Sequence, residues 1–280
     1  MTEIVVEGLR FSYPDGTAAL DGIDLTISSG ERCVIVGQNG SGKSTLVRHL
    51  VGLLRPTEGR ILIDGADIRR LPVARLARSV GLAFQDPDQQ IFSGRVRTEV
   101  EFGPRNMGMT EEDRAAAVAE ALEAVGLTGQ ADTNPYDLGY SRRKLLGIAA
   151  VLAMRTPVMI LDEPTTGQDA FGQDRVQAII QSLPRHGRTV IAVTHDMRFA
   201  AEAFARVVVM RSGRVILDGP PEVVFAEDQW VALASTYLDP PFAAHVGARL
   251  GLGSTPTEPA VVAALRARER SCDVGPQRLQ

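Results

Sequence analysis

The stretch Cys33-Val34-Ile35-Val36-Gly37-Gln38-Asn39-Gly40-Ser41-Gly42-Lys43-Ser44-Thr45 joins a short apolar run to a glycine-rich segment. The second part matches the pattern G-x-x-x-x-G-K-[ST], in which glycines allow successive backbone N–H groups to point at one anion. A helix-compatible stretch follows over residues 44–54, and the N-terminus of a helix adds the positive end of its dipole. A strand, a loop and a helix in this order predict a phosphate-binding P-loop.

Two side chains of this loop have the chemistry of a nucleoside triphosphate site. Lys43 is long enough to reach the β- and γ-phosphates, and the Ser44 hydroxyl is a suitable ligand for Mg²⁺. We therefore expect the loop from Gly37 to Thr45 to bind ATP, with Mg²⁺ as the accompanying ion.

A second motif ends an apolar run with two carboxylates. Residues 158–161 are apolar, and Asp162 and Glu163 follow them directly. A strand beside the P-loop strand would bring Asp162 to the Mg²⁺ shell. Glu163 would then activate the water that attacks the γ-phosphate, as a general base. Taken alone, an acidic pair at a strand end is as often an ordinary solvent-exposed terminus, but next to a P-loop it indicates hydrolysis.

Two further polar residues follow apolar runs, His195 after residues 190–194 and Gln85 after residues 80–84. The carboxyl ends of parallel strands face the ligand crevice of an open α/β sheet. We therefore expect His195 to donate a hydrogen bond to the γ-phosphate and Gln85 to bridge Mg²⁺ and the attacking water. A histidine without this context is more often an unremarkable surface or core residue.

Composition restricts the class of protein. The 280 residues are 44% hydrophobic and 23% charged, with a net charge of -4, and no basic tract suggests a nucleic-acid partner. The only cysteines, Cys33 and Cys272, are far apart in sequence, which fits a reducing compartment. The first residues lack the features of a signal peptide, and the longest apolar run, residues 145–154, is too short to cross a bilayer. Work at a membrane would require a partner.

The order of patterns predicts an α/β fold with a largely parallel sheet. Residues 96–155 have a helical pattern, in which Thr110 begins an alanine-rich helix that Gly126 ends. Residues 3–237 are expected to form the main domain. Residues 238–280, richer in Pro, Gly and Ala, are expected to form a helical or partly flexible extension.

Together the motifs resemble the nucleotide-binding subunit of an ATP-binding cassette (ABC) transporter, over about residues 3–225. The resemblance implies a P-loop NTPase fold with a mixed sheet core, an N-terminal antiparallel β part, a helical subdomain and a small C-terminal appendage. It also implies family roles for single residues: adenine stacking for Tyr13, Walker A for residues 37–45, the Q-loop for Gln85, Walker B for residues 158–163, the D-loop for residues 166–169 with Asp169, and the switch histidine for His195.

Four segments, residues 11–17, 84–92, 101–106 and 166–169, resemble more narrowly the ATPases of energy-coupling-factor (ECF) transporters. This resemblance implies the motor of an importer for a metal ion (cobalt or nickel) or a vitamin. It implies a second ABC ATPase subunit, a transmembrane coupling protein and a separate substrate-binding membrane protein. The chain would then be a peripheral protein on the cytoplasmic face of the cell membrane.

One segment departs from the family pattern. The signature Leu-Ser-Gly-Gly-Gln, which completes the ATP site of the opposite subunit, is replaced by Leu138, Gly139, Tyr140, Ser141 and Arg142. This change beside intact catalytic motifs favours a heterodimer with two unequal sites, although a homodimer remains open. We expect Ser141 to cap the next helix. Three cations, Arg142, Arg143 and Lys144, then occupy its first turn, against the helix dipole. We interpret them as facing a partner's triphosphate.

Two other functions remain open at this point. A soluble ABC ATPase in a non-transport role, such as iron–sulfur cluster assembly, has a similar length, but the ECF-like segments argue against it. A non-hydrolysing regulatory subunit is disfavoured by Glu163 and His195.

Overall fold

The computed structural model describes residues 2–272. The strands within these residues are β1 (Ile4–Ser12), β2 (Ala18–Ile27), β3 (Arg32–Val36), β4 (Glu58–Ile63), β5 (Ala66–Asp67), β6 (Val80–Ala83), β7 (Val158–Asp162), β8 (Thr189–Thr194), β9 (Arg206–Arg211) and β10 (Arg214–Gly219). The helices of the same part are α1 (Lys43–Leu50), α2 (Val73–Leu76), α3 (Val96–Asn106), α4 (Glu111–Val125), α5 (Tyr140–Ala153), α6 (Ala170–Ser182), α7 (Met197–Ala203), α8 (Pro221–Val224), α9 (Trp230–Ala234), α10 (Phe242–Leu250) and α11 (Glu258–Cys272). The predicted α/β class is confirmed.

The strands form two sheets. The first has the order β2-β1-β4-β5 and is antiparallel, whereas the second has the order β10-β9-β3-β8-β7-β6. In the second sheet all neighbours are parallel except β9 and β10. Strand β3 is buried along almost its whole length, as expected for a parallel strand that is covered on both faces.

The two faces of β3 contribute to two hydrophobic clusters. Val34 and Val36 pack with α3–α7, whereas Cys33 and Ile35 pack with α1 and the antiparallel sheet. This alternation follows from the period of two residues along a strand. Burial raises the pKa of the free Cys33 thiol well above its ordinary range, so this thiol is a core residue.

The order of the central strands corrects one expectation. Strand β7, which carries Asp162, does not pair with the P-loop strand β3, because β8 lies between them. The three strands are parallel, so their carboxyl ends still open at the same edge of the sheet. The segments that follow β3, β6, β7 and β8 therefore meet there.

Helices α3–α5 occupy the predicted helical region. Thr110 Oγ1 accepts a hydrogen bond from Asp113 N (3.1 Å), and Gly126 ends α4 in the left-handed conformation. The expected cap of α5 is wrong. Gly139 occupies the N-cap position without a side-chain bond, and Ser141 lies in the first turn. The Ser141 hydroxyl donates to Gln168 Oε1 of the D-loop instead.

The part of the chain after residue 238 contains α10 and α11 within the described residues. Among residues 2–272, no helix combines the length and the apolar character that a membrane crossing needs.

Candidate nucleotide-binding and hydrolysis site

A cleft of about 520 Å³ lies at the carboxyl edge of the parallel sheet. It brings together residues that are distant in sequence and that the sequence motifs had singled out separately. Its lining consists of Gly37, Gln38, Asn39, Gly40, Gly42, Lys43, Ser44, Thr45, Gln85, Glu163, Val193, His195, Tyr237 and Leu238. The P-loop, Gln85, Glu163 and His195 therefore share one cavity.

The backbone conformation of the P-loop explains why position 42 requires a glycine. Gly42 has φ +102°, in the region that favours glycine, and a Cβ there would lie 2.5 Å from the Ala19 carbonyl oxygen. Gly42 is also the N-cap of α1, so the helix N-terminus opens into the cleft. This arrangement offers backbone N–H groups and the helix dipole to an anion.

Lys43 is almost completely buried at the floor of the cleft. Its Nζ donates hydrogen bonds to the carbonyl oxygens of Gly37 (2.7 Å) and Gln38 (2.9 Å). Burial lowers the pKa of Lys43, and the nearby carboxylates of Glu163 and Asp162 oppose this change. The ammonium is thus held inside the loop by oxygen atoms that a bound phosphate can supplement.

Asp162 ends β7 and is mostly buried. Its Oδ1 is buried and has no hydrogen-bond partner. Burial raises the pKa of this carboxyl group, and the adjacent Glu163 charge raises it further. A buried carboxylate oxygen without a partner is costly unless a cation or a donor reaches it. Asp162 itself is not part of the cleft lining, whereas Ser44 and Gln85 are. The unpartnered Asp162 Oδ1, the Ser44 hydroxyl and the Gln85 amide oxygen are of the ligand type that Mg²⁺ prefers.

Glu163 has an unusual backbone conformation, with φ +47°. Its N–H donates to the Val193 carbonyl oxygen (2.8 Å), which fixes the residue against β8. Its Oε2 lies 2.9 Å from His195 Nδ1, 3.3 Å from Thr166 Oγ1 and 3.4 Å from Thr194 Oγ1. Non-glycine residues in the left-handed region cost free energy and occur preferentially at functional sites. The carboxylate of Glu163 is thus oriented by its surroundings.

Gln85 is exposed and lines the cleft from the loop that follows β6. Sequence reasoning missed how this loop is held. Gln90 Oε1 accepts from Phe84 N (3.1 Å), and Gln90 Nε2 donates to the Gly147 carbonyl oxygen of α5 (2.8 Å). Gln90 therefore fastens the Gln85 loop to the helix that begins at the signature position.

The two aromatic residues near the cleft differ in position. The Tyr13 hydroxyl oxygen lies 3.0 Å from Thr45 Oγ1, and the Tyr13 ring packs edge-to-face on Phe11. Tyr13 is not part of the cleft lining. Tyr237 was missed by the sequence reasoning, yet it lines the cleft, is 86% exposed and has φ +55°. It follows α9 in a part of the sequence where no motif marks it.

The signature position lies outside the cleft lining. Of its three neighbouring cations only Arg142 is exposed. Arg143 pairs with Asp88 (3.2 Å) and donates to the Leu138 carbonyl oxygen, and Lys144 Nζ donates to the Thr166 carbonyl oxygen (2.9 Å). The expectation that all three face a partner is therefore wrong for Arg143 and Lys144.

Asp169 has a structural role of its own. Its Oδ1 accepts a hydrogen bond from Gly172 N (2.8 Å), so this residue is the N-cap of α6. The D-loop (residues 166–169) is thus anchored at its end by a helix cap and follows Glu163 after only two residues.

Comparisons with known proteins identify the family to which this chain belongs. Residues 20–166 match the family model described as ABC transporter. The energy-coupling factor transporter ATP-binding protein EcfA of Methanothermobacter thermautotrophicus is 41% identical over 84% of this chain and 76% of its own length. Two other curated relatives are longer, and the chain spans about two fifths of their length.

Solved structures agree with this placement. CbiO1 from Clostridium perfringens, described as part of the ABC transporter complex CbiONQ, has a TM-score of 0.73 and 39% identity over 83% of this chain and 94% of its own. An ATP-binding cassette in a dimeric post-hydrolysis state with ADP and Pi has a TM-score of 0.71 and 26% identity over 78% of this chain and 98% of its own. The chain is therefore an ATP-hydrolysing member of the ABC transporter family, of the energy-coupling-factor type.

Proposed function

We propose that this chain is the ATP-hydrolysing motor of an ECF importer for a metal ion (cobalt or nickel) or a vitamin. The observation that carries the proposal is the meeting of the P-loop lysine, Gln85, Glu163 and His195 in one cleft. The EcfA and CbiO1 relatives support the ECF type and the role in transport.

The triphosphate of ATP binds along the P-loop in this proposal. The backbone N–H groups of the loop and the N-terminus of α1 receive the phosphate oxygens, and Lys43 Nζ neutralises the β- and γ-phosphates. Tyr13 keeps its expected role as the aromatic that stacks on adenine, next to Thr45 at the end of the loop.

Ser44, Gln85 and Asp162 would hold Mg²⁺, and the unpartnered Oδ1 of Asp162 supports this assignment. A bound Mg²⁺ supplies charge neutralisation on the phosphate oxygens during hydrolysis. The ion would also remove the cost of the buried, unpaired carboxylate oxygen.

Glu163 orients a water molecule in line with the γ-phosphate and accepts its proton as the water attacks. The bond between the γ-phosphorus and the β,γ-bridging oxygen breaks, and ADP and phosphate leave. His195 lines the same cleft, its Nδ1 lies 2.9 Å from Glu163 Oε2, and in this proposal its ring donates a hydrogen bond to the γ-phosphate. The Glu163 bonds to Thr166 and Thr194 keep the carboxylate in place.

The site is completed by a second ABC ATPase subunit, whose signature covers the nucleotide. The altered signature of this chain favours a heterodimer over a homodimer. The pair docks on a transmembrane coupling protein, beside a substrate-binding membrane protein, at the cytoplasmic face of the cell membrane. In this proposal residues 3–237 are the nucleotide-binding domain and residues 238–280 are an extension, whose described part contains α10 and α11 and whose residues 273–280 lie outside the described residues.

The test is recovery of the whole assembly. The tagged chain, purified from detergent-solubilised membranes, should bring along a second ATPase and at least one integral membrane protein, identified by mass spectrometry. Lys43→Ala should leave this assembly intact and abolish ATP-dependent uptake of the co-purified cargo. Recovery of the chain only from the soluble fraction, active and without a membrane protein, would instead favour the soluble ABC ATPase.

A further inference from the structure

The first turn of α5 is joined to the D-loop of the same chain. Ser141 Oγ donates to Gln168 Oε1 (2.7 Å), and Gln168 Nε2 donates back to the Ser141 carbonyl oxygen (3.2 Å). The two residues therefore form a reciprocal pair of hydrogen bonds. A glycine at position 141 could not make the first of them.

Tyr140 makes the second contact with the D-loop. Its ring packs against Gly167, since a Cβ added at Gly167 would lie only 2.5 Å from Tyr140 Cε1. Lys144, one helical turn on and 2% exposed, donates to the Thr166 carbonyl oxygen. Three successive D-loop residues thus contact the start of α5. Two of these contacts are made by Tyr140 and Ser141, which occupy the positions of the two glycines in the family signature.

The D-loop in turn holds Glu163. Thr166 Oγ1 lies 3.3 Å from Glu163 Oε2, and Thr166 N donates to the Glu163 carbonyl oxygen (3.3 Å). At its other end the loop is fixed by the Asp169 cap of α6. A shift of the D-loop relative to α5 therefore changes the position of the Glu163 carboxylate, which already has a left-handed backbone conformation.

We propose that Tyr140 and Ser141 are positioning residues for Glu163 of their own subunit, acting through the D-loop. This inference rests on the proposed function, because it assumes that Glu163 activates water. The altered signature is then more than a weakened contact to the partner's nucleotide. The start of α5 belongs to two sites, one across the interface and one in its own chain.

A double-mutant cycle tests the proposal in the purified transporter complex. Ser141→Ala removes the hydroxyl bond and should lower kcat for phosphate release by roughly tenfold. Gln168→Ala removes both bonds and should lower kcat at least as much, and the double variant should lower it no further than Gln168→Ala, because Ser141 then has no Gln168 side chain to contact. KM for ATP and the affinity for a fluorescent ADP analogue should stay at wild-type values. Ser141→Thr keeps the hydroxyl and should restore kcat. Ser182→Ala is the matched control. It removes a hydroxyl that donates to the Ile179 carbonyl oxygen of the same helix, α6, and it should behave as wild type.

A second arm separates the two sites. The complex is assembled with a partner subunit whose own catalytic glutamate has been changed to glutamine, so that the remaining turnover comes from Glu163 of this chain. Ser141→Ala should still lower that turnover roughly tenfold, as expected for an effect inside one subunit. If the alanine variants prove unstable, Gln168→Glu replaces them, since it keeps the acceptor for Ser141 Oγ and loses the donor, and it should show a smaller fall in kcat.

Wild-type kcat in both single variants, multiplicative losses in the double variant, or loss of the effect in the one-site complex would overturn the proposal. Failure of the proposed function looks different. In that case Glu163→Gln would itself keep normal turnover, whatever the behaviour of Ser141 and Gln168.

Discussion

The P-loop and the signature segment are both glycine-containing turns that precede a helix, yet different forces hold them. In the P-loop, Gly42 has a positive φ, and a side chain there would collide with the Ala19 carbonyl oxygen. In the signature segment, Gly139 has φ -63°, and a Cβ would meet nothing within 4 Å. The backbone conformation of the first turn requires a glycine, whereas the second has no such requirement at Gly139, and the residues that follow it contact the D-loop through Tyr140, Ser141 and Lys144. A departure from a family motif therefore has different consequences in the two places.

Replacement of a glycine in the P-loop should have the largest effect. Gly42→Ala places a Cβ 2.5 Å from a backbone oxygen, so the loop must move away from its phosphate-binding conformation. We expect ATP affinity to fall by about 100-fold or more, measured by titration with a fluorescent nucleotide. Gly129→Ala is the control, because a Cβ there has open space. Unchanged affinity in Gly42→Ala would refute the distinction between the two turns.

The second prediction concerns Lys144, which anchors the signature helix to the D-loop. Burial lowers the pKa of Lys144 from 10.5 to about 8. Between about pH 8 and pH 10.5 the Lys144 amine is more protonated in the unfolded chain than in the folded chain. The contribution of Lys144 to the free energy of unfolding therefore rises with pH in this range. Relative to Lys144→Met, the wild-type free energy of unfolding should increase from pH 7 to pH 10, by up to about 3 kcal/mol.

Urea unfolding at several pH values measures this difference. Arg142→Met, at the exposed neighbouring position, is the control and should follow the wild-type pH profile. A wild-type stability that stays parallel to that of Lys144→Met at all pH values would show that the ammonium is not buried.

The third prediction restores a family residue. Gly139→Ser places a hydroxyl at the open N-cap of α5, where serine is slightly better than glycine, by a few tenths of a kcal/mol. In the proposed dimer the same hydroxyl would face the partner's γ-phosphate. We expect turnover in the assembled transporter to rise about tenfold, below the full value of a preorganised donor. A fall in turnover with unchanged stability would mean that the glycine itself is needed at this position.

The smallest effect is expected for the ion pair between Arg143 and Asp88, which links the signature helix to the segment after Gln85. Asp88 is half exposed, so Asp88→Asn should cost only about 0.5 kcal/mol in urea unfolding. Asp132→Asn removes a looser and more exposed pair with Arg97 and should cost less. A loss above 2 kcal/mol would show that this contact is a main support of the segment.

The contrast also explains what the sequence could predict. The P-loop, the strand before Asp162 and the cap at Thr110 depend on local chemistry, so their patterns sufficed. The position of β8 between β3 and β7, the helix start at Tyr140 and the partners of Arg143 and Lys144 depend on tertiary contacts. Tyr237 and Gln90 belong to the same class, because a single exposed tyrosine and a single glutamine carry no local signal.

The most direct test of the account is ATP hydrolysis by Glu163→Gln, with ATP affinity measured on the same preparation. Glu163→Gln should bind ATP as wild type and release phosphate about 100-fold to 10,000-fold more slowly, because the general base is lost. Glu123→Gln, an exposed change on α4, should keep the wild-type rate. Wild-type phosphate release by Glu163→Gln would contradict the assignment of this cleft as the hydrolytic site.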